Sequence, residues 1–183
     1  MRLCFVVQRF GAEVTGGAEA HCRGLARRLA RTHEVQVLTT CALDYATWAN
    51  HYPPGRQTVD GLEVTRFPVA RPRSVRDFAF YSDVVFRDRF TPADELRWIE
   101  ENGPFCPALV TGLRALDQVD LFVFYSYRYY TAFHGLPPVA RRAVLVPTAE
   151  DDQAIRLPVF RDCSAGPGDS STSRRRSGGW SRR

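Results

Sequence analysis

The sequence predicts an α/β fold: an open, mainly parallel sheet with helices on both faces. Three observations carry this expectation. Apolar runs at residues 3–7, 121–125 and 143–146 are continuous rather than alternating, which fits strands covered on both sides. Segments of helical periodicity separate them, as in strand-helix-strand units. The first run also passes into a helix-like segment through "FGAEVTGGAEAH", a loop with a glycine pair at its end. At 183 residues and 44% hydrophobic, the chain is long enough for one full core and short for two.

Taken in order, residues 3–7 (LCFVV) form the first strand, bounded by Gln8 and Arg9. Beyond the glycines, Cys22, Leu25, Ala26 and Leu29 recur at helical spacing, with Arg23, Arg27, Arg28 and Arg31 on the wet side. Residues 34–39 supply a second strand, reached by a right-handed crossover. A third is expected at 62–69 after the Asp60-Gly61 turn, with Pro68 marking its end as a sheet margin, and residues 43–60 are expected to be an irregular insertion. Residues 74–89 have near-helical spacing. Thr91-Pro92-Ala93-Asp94-Glu95 is a helix start with a threonine cap and proline in first position. A short helix at 108–116 leads into the strands at 121–125 and 143–146, which flank an aromatic stretch at 127–136. Ligands are expected at the carboxyl ends of such a sheet.

All 25 basic residues are Arg, and the formal net charge is +5. Six Arg and two Asp in residues 161–183 account for +4 of it, so residues 1–160 are nearly neutral and no nucleic-acid partner is expected for them. Five cysteines (Cys4, Cys22, Cys41, Cys106, Cys163) without a C-x-x-C pair read as reduced thiols. The first apolar run is too short for a signal segment, and no stretch approaches the ~18 apolar residues of a membrane span. A cytoplasmic location, with peripheral contact at the inner face of the plasma membrane as an open alternative, is expected. His21, His33 and His51 lack metal-ligand spacing, so no metal is expected, and His134 is expected to be structural. The arginine face of the first helix is open to two readings, a solvated surface or peripheral contact with anionic lipid.

Residues 161–183 carry no periodicity and are rich in Ser, Gly and Arg. One reading is a disordered basic tail that touches RNA or membrane. The other comes from the genetic code. Read one frame over with GC-rich codon choices, the segment contains "LLYLTPQERRLV", an apolar run followed by a Thr-Pro-x-Glu helix start. The expectation is a frameshift near residue 162, in a chain that is a fragment of a longer protein.

The glycine loop fits neither of two common phosphate motifs. Gly11 and Gly16 have Walker spacing but are followed by Gly17-Ala18 instead of Lys-Ser/Thr, and the G-x-G-x-x-G dinucleotide pattern is absent. Two readings remain. Gly16 and Gly17 are either an ordinary turn needing positive φ, or a helix N-terminus whose free N–H groups and dipole favour an anion.

"GGAEAHCRGLARRLARTHEVQVLTT" resembles the Gly-Gly-Ala-Glu opening of the family-4 GT-B glycosyltransferases. "DLFVFYSYRYYTAFHGLPPVARRAVLVPTAEDDQAIRLPVF" is similar to the later half of their N-terminal domain. The resemblance covers residues 1–160. It implies a Rossmann-like domain, the N-terminal, acceptor-side half of a GT-B fold, in an enzyme that moves a sugar from a UDP- or GDP-linked donor to a glycan or lipid-linked acceptor, with retention and without a metal cofactor. A donor-binding C-terminal domain, in a longer chain or a separate one, would complete the cleft, so this chain alone is expected to be inactive. Gly16 and Gly17 would offer backbone N–H groups to the donor diphosphate, with Glu19 either a ligand or a carboxylate favourably placed at a helix start. Ser126, Tyr127 and Arg128 would meet the acceptor, the alternative being that the aromatics at 125, 127, 129, 130 and 133 are core or lid. Many family members carry His where this chain has Glu150, followed by Asp151 and Asp152. Imidazole can donate to a sugar hydroxyl and an ionised carboxylate can only accept, so Glu150 is the candidate catalytic group with an altered role and Asp151 a candidate for substrate binding, the alternative being that the three acids form a solvated loop. The rival expectation is a non-catalytic α/β binding module with a functional basic tail.

Overall fold

The computed structural model describes residues 1–87 and 89–161. The expectations for the basic tail, the shifted frame and Cys163 fall on residues 162–183, outside the described residues. The elements are β1 (Arg2–Val6), α1 (Gly17–Leu29), β2 (Glu34–Thr40), β3 (Gly55–Val59), β4 (Leu62–Phe67), α2 (Val75–Val85), α3 (Pro92–Asn102), α4 (Pro107–Arg114), β5 (Leu121–Tyr125), α5 (Tyr130–Gly135) and β6 (Ala143–Val146), with 3-10 turns at Pro137–Arg142, Ala154–Arg156 and Pro158–Phe160.

The six strands form one sheet in the order β3-β4-β2-β1-β5-β6, parallel except for the β3/β4 pair. The Rossmann-like α/β class expected from the apolar runs is the one observed. Alternate residues of β1 explain why its run is unbroken: Leu3, Phe5 and Val7 pack toward Cys22 and Ala26 of α1, whereas Cys4 and Val6 pack toward Leu109 and Leu113 of α4 and Ala132 of α5. Each face of the strand therefore needs apolar side chains. A third cluster joins Val85, Trp98 and Ile99 of α2 and α3 to Tyr127 and to Ala154, Leu157 and Phe160. Helix starts follow local chemistry. Ser74 caps α2 by accepting from the Asp77 N–H at 3.2 Å. Thr91 and Asp94 form a capping box at α3, with the Thr91 N–H donating to Asp94 at 2.8 Å.

Two expectations are corrected. Residues 43–60 are not irregular throughout, because β3 lies within them and pairs antiparallel with β4 across the Asp60-Gly61 turn. Both turn residues have positive φ, 52° and 79°, as a tight hairpin between twisted strands requires. β4 is also not marginal. It lies between β3 and β2 and stops at Phe67, immediately before Pro68, which has no N–H for the ladder. The edge on this side is β3, whose GRQTV sequence leaves Gly55, Arg56 and Thr58 exposed, and β6 forms the opposite edge.

From β1 the chain builds outward through β2 and β4, then returns to the other side of β1 for β5 and β6. The connection direction reverses between β1 and β5, so their carboxyl ends diverge and leave a crevice. The four described cysteines, Cys4, Cys22, Cys41 and Cys106, are free and buried. Burial raises their thiol pKa values, that of Cys106 to about 12, so they behave as apolar packing groups. No helix among the described residues is long and apolar enough to cross a membrane.

Candidate active site

A cleft of about 460 Å³ opens at that crevice. Its walls come from the end of β1 (Arg9), the start of α1 (Gly17, Ala18, Glu19), the end of β5 (Ser126, Tyr127, Arg128, Tyr129), the segment after β6 (Pro147, Thr148, Glu150, Asp152) and Tyr45. Gly17, Glu19, Ser126, Tyr127, Arg128 and Glu150, more than a hundred residues apart in sequence at the extremes, thus line one space.

The two glycines differ. Gly16 is the N-cap of α1, with φ 149° and ψ 138°, and its carbonyl accepts the first helical bond, from Ala20 N–H at 2.9 Å. A Cβ on Gly16 would overlap the Glu19 carboxylate and come within 3.1 Å of the Arg9 guanidinium. Gly16 is therefore glycine for two local reasons, its backbone angle and the ion pair packed against it. Gly17 has neither constraint, since a Cβ there would meet nothing within 4 Å. With no side chain on the N-cap to satisfy them, the N–H groups of the first turn of α1 stay available on the cleft side.

The Arg9/Glu19 pair organises this corner. Arg9 Nη2 lies 2.8 Å from Glu19 Oε1, and the two side chains are 7% and 11% exposed. Arg9 also donates to the carbonyls of Leu43 (3.0 Å) and Thr15 (2.9 Å) and lies over the Tyr45 ring at 5.6 Å. One guanidinium therefore joins the glycine loop, the loop after β2 and the first turn of α1. A second arginine supports the same loops from beneath. Buried Arg66 of β4 donates to the carbonyls of Phe10 (2.6 Å) and Thr40 (3.4 Å) and stacks on Tyr52 at 3.8 Å. Tyr52 in turn donates to Glu13 at 2.6 Å, which holds the Glu13 carboxyl below its ordinary pKa range, and burial raises that of Tyr52 to about 12.

At the ends of β5 and β6, Ser126 and Thr148 both have positive φ, 63° and 45°, and their hydroxyls share a hydrogen bond of 2.7 Å. Such angles are unusual for any residue with a Cβ and most of all for a β-branched one, and they cost on the order of 1–3 kcal/mol each. Beyond Ser126, Arg128 Nη1 meets Asp152 Oδ2 at 2.6 Å, and the Tyr127 hydroxyl donates to Asp152 Oδ1 at 3.2 Å. Burial first, and Asp152 second, push Tyr127 up to about 12. At neutral pH it is a hydrogen-bonding phenol. Asn102 fixes the Arg128 backbone through its Nδ2 (2.9 Å to the Arg128 carbonyl) and receives Arg73, which also donates to Tyr45 O at 2.9 Å.

Glu150 is exposed at the rim, with no ion-pair partner among the described residues. Asp151 does not line this cleft. It faces outward and pairs with Arg156 at 2.8 Å; the inward carboxylate of the three is Asp152. The arginine face of α1 is partly occupied, because Arg23 pairs with Asp60. His134 packs against Tyr130 at 4.4 Å, and burial lowers its pKa. No three His, Cys, Asp or Glu side chains gather into a metal site among the described residues. Chemically, the cleft offers helix N–H donors for an anion, hydroxyls and a guanidinium for polar groups, and one free carboxylate.

Sequence reasoning missed Arg9, Tyr45, Thr148 and the inward role of Asp152. The available signal for Arg9 was an arginine at the end of a parallel strand with a glutamate in the first turn of the following helix.

No family model and no curated protein matches the sequence. Among solved structures the chain is similar to trehalose-6-phosphate synthase from E. coli bound with UDP-2-fluoro glucose, at 15% identity and a TM-score of 0.39, over 79% of this chain and 32% of that one. The chain thus spans about a third of the length of that protein.

Proposed function

We propose that this chain is the N-terminal, acceptor-side domain of a glycosyltransferase of the GT-B type, resembling family 4. In the completed enzyme, a second domain delivers a UDP- or GDP-linked sugar across the cleft, and the acceptor lies against β5 and β6. The observation that carries the reading is the open backbone at Gly17. It adjoins unpaired helix N–H groups at the reversal point of the sheet, in the sequence context Gly-Gly-Ala-Glu. A diphosphate leaving group gains negative charge as the glycosidic bond to it breaks, and fixed N–H donors favour that charge without reorganising. Glu19 is a positioning residue in this scheme, since both its oxygens lie against Arg9 and Gly16.

Glu150 has a different task. It can accept a hydrogen bond from a sugar hydroxyl and favour positive charge building at the anomeric carbon, and it cannot donate when ionised. The chain on its own holds one wall of the cleft, so it is expected to release no UDP from UDP-glucose.

Titrating the ¹⁵N-labelled chain with UDP and with GDP tests the reading. The expected result is weak binding that shifts the amides of residues 17–19 and weakens with added salt. Amides 17–19 that stay fixed with both nucleotides, while others move or none do, would overturn it.

A further inference from the structure

A second compartment of about 440 Å³ adjoins the cleft. Phe86 at the end of α2, Asp151, Gln153 and Arg156 line it, together with Arg128 and Asp152, which it shares with the cleft. We infer that this compartment takes a neutral, hydroxyl-rich ring, a pyranose unit of the acceptor. The word acceptor rests on the transferase reading; the preference for a neutral sugar rests on the compartment itself.

Its charges cancel in pairs. Arg128 meets Asp152 at 2.6 Å, and Arg156 meets Asp151 at 2.8 Å. A phosphate placed here faces two carboxylates and an ammonium group two guanidinium ions, and either must compete with the half-buried Arg128/Asp152 pair, whereas the Arg156/Asp151 pair at the mouth is solvated and only balances the local charge. A ring hydroxyl both donates and accepts, so it can serve a carboxylate and a guanidinium together without disturbing the balance. Asp152 is also rigidly held, accepting from Tyr127 OH at 3.2 Å and from Ile155 N–H at 3.1 Å. That spares a ligand part of the ordering cost. Gln153, exposed beside it, adds one more donor and acceptor.

Phe86 supplies the apolar component. It packs edge-on to Trp98, with centroids 5.7 Å apart, and is only partly buried, so it stands as an apolar wall beside four charged groups. The C–H face of a pyranose fits such a wall while its hydroxyls reach the polar side.

The test is an amide-shift titration of the ¹⁵N-labelled chain with methyl α-D-glucopyranoside, glucose 6-phosphate, UDP and GDP. The glucoside is expected to move the amides of Phe86 and residues 151–156. Glucose 6-phosphate should bind there several-fold more weakly, and Gln153→Ala, an exposed change that leaves thermal stability unaltered, should weaken the glucoside by about 2- to 10-fold. Asp151→Asn removes one carboxylate at the solvated mouth and should narrow the preference for the glucoside over glucose 6-phosphate. Equal or tighter binding of glucose 6-phosphate to the wild-type chain, or glucoside shifts confined to other residues, would overturn the inference. The nucleotide arms separate the two proposals. UDP or GDP at residues 17–19 with a silent glucoside removes this inference alone, whereas the glucoside at 151–156 with amides 17–19 silent to both UDP and GDP removes the transferase reading and leaves a neutral-sugar site.

Discussion

The two ends of the sheet are built from similar residue types and behave differently. At the amino ends lies the larger opening, about 680 Å³, bordered by Arg2, Glu34, Gln36, Glu63 and Gln118. Its polar groups are exposed and paired on the surface, as in the Arg2/Glu34 contact at 3.2 Å with side chains 51% and 79% exposed. At the carboxyl ends Arg9 and Arg66 are buried, Ser126 and Thr148 hold unfavourable backbone angles, and a glycine is required where an ion pair crosses a helix start. Volume alone would select the amino-end opening, about 680 Å³ against about 460 Å³. Positive φ also occurs away from the cleft, at Trp48 and in the Asp60-Gly61 hairpin; what distinguishes the cleft is a buried ion pair beside an open helix start together with strained Ser126 and Thr148 joined by a hydrogen bond.

Arginine removal gives the largest contrast between the two ends. Arg9→Ala leaves the Glu19 carboxylate buried without its partner and frees two loop carbonyls, which should cost roughly 3–5 kcal/mol. Arg2→Ala at the other end should cost about 0–1 kcal/mol, because the pair it breaks is solvated. Urea denaturation of both variants checks this, and equal losses would erase the distinction.

A smaller effect appears at high pH. Tyr127 and Tyr52 are each held up to about 12 in the fold, against an ordinary value of 10.0. A raised folded pKa means that the folded chain keeps a proton the unfolded chain has lost. Stability from these two groups is therefore whole below pH 10 and is lost as the pH rises through 12. Tyr127→Phe should flatten the fall in thermal midpoint between those values, and Tyr52→Phe should do the same. Unchanged pH profiles in both variants would show that neither phenol is linked to folding.

How far these features could be read in the sequence follows from the kind of signal each one leaves. Strands β1 and β5 are visible because burial on both faces demands continuous apolar residues, β6 because its AVLV run is apolar although it lies at the edge with Val144 exposed, β2 because it follows α1 at strand-helix-strand spacing, and α3 because Thr91 and Pro92 are local signals. β3 was hidden, since an edge strand such as GRQTV buries too little to show a pattern. In the site, the residues that line the cleft from β5 were legible through their place at the end of an apolar run. The partner relations were not. Asp151 and Asp152 are neighbours in sequence, and only the turn at Ala154–Arg156, with Ile155 N–H on Asp152, decides which one faces inward. Gly16 and Gly17 likewise look equivalent until Glu19 folds back over the first of them.

That last difference gives the most direct test of the account. Thermal midpoint and UDP titration are measured on two variants, Gly16→Ala and Gly17→Val. The account predicts that Gly16→Ala loses about 1–3 kcal/mol through its positive φ and the displaced Glu19 carboxylate. It predicts that Gly17→Val changes stability by no more than about 1 kcal/mol and abolishes the UDP-induced shifts at residues 17–19. A Gly17→Val chain that still takes up UDP as the wild type does would contradict the claim that this open corner of α1 receives the diphosphate.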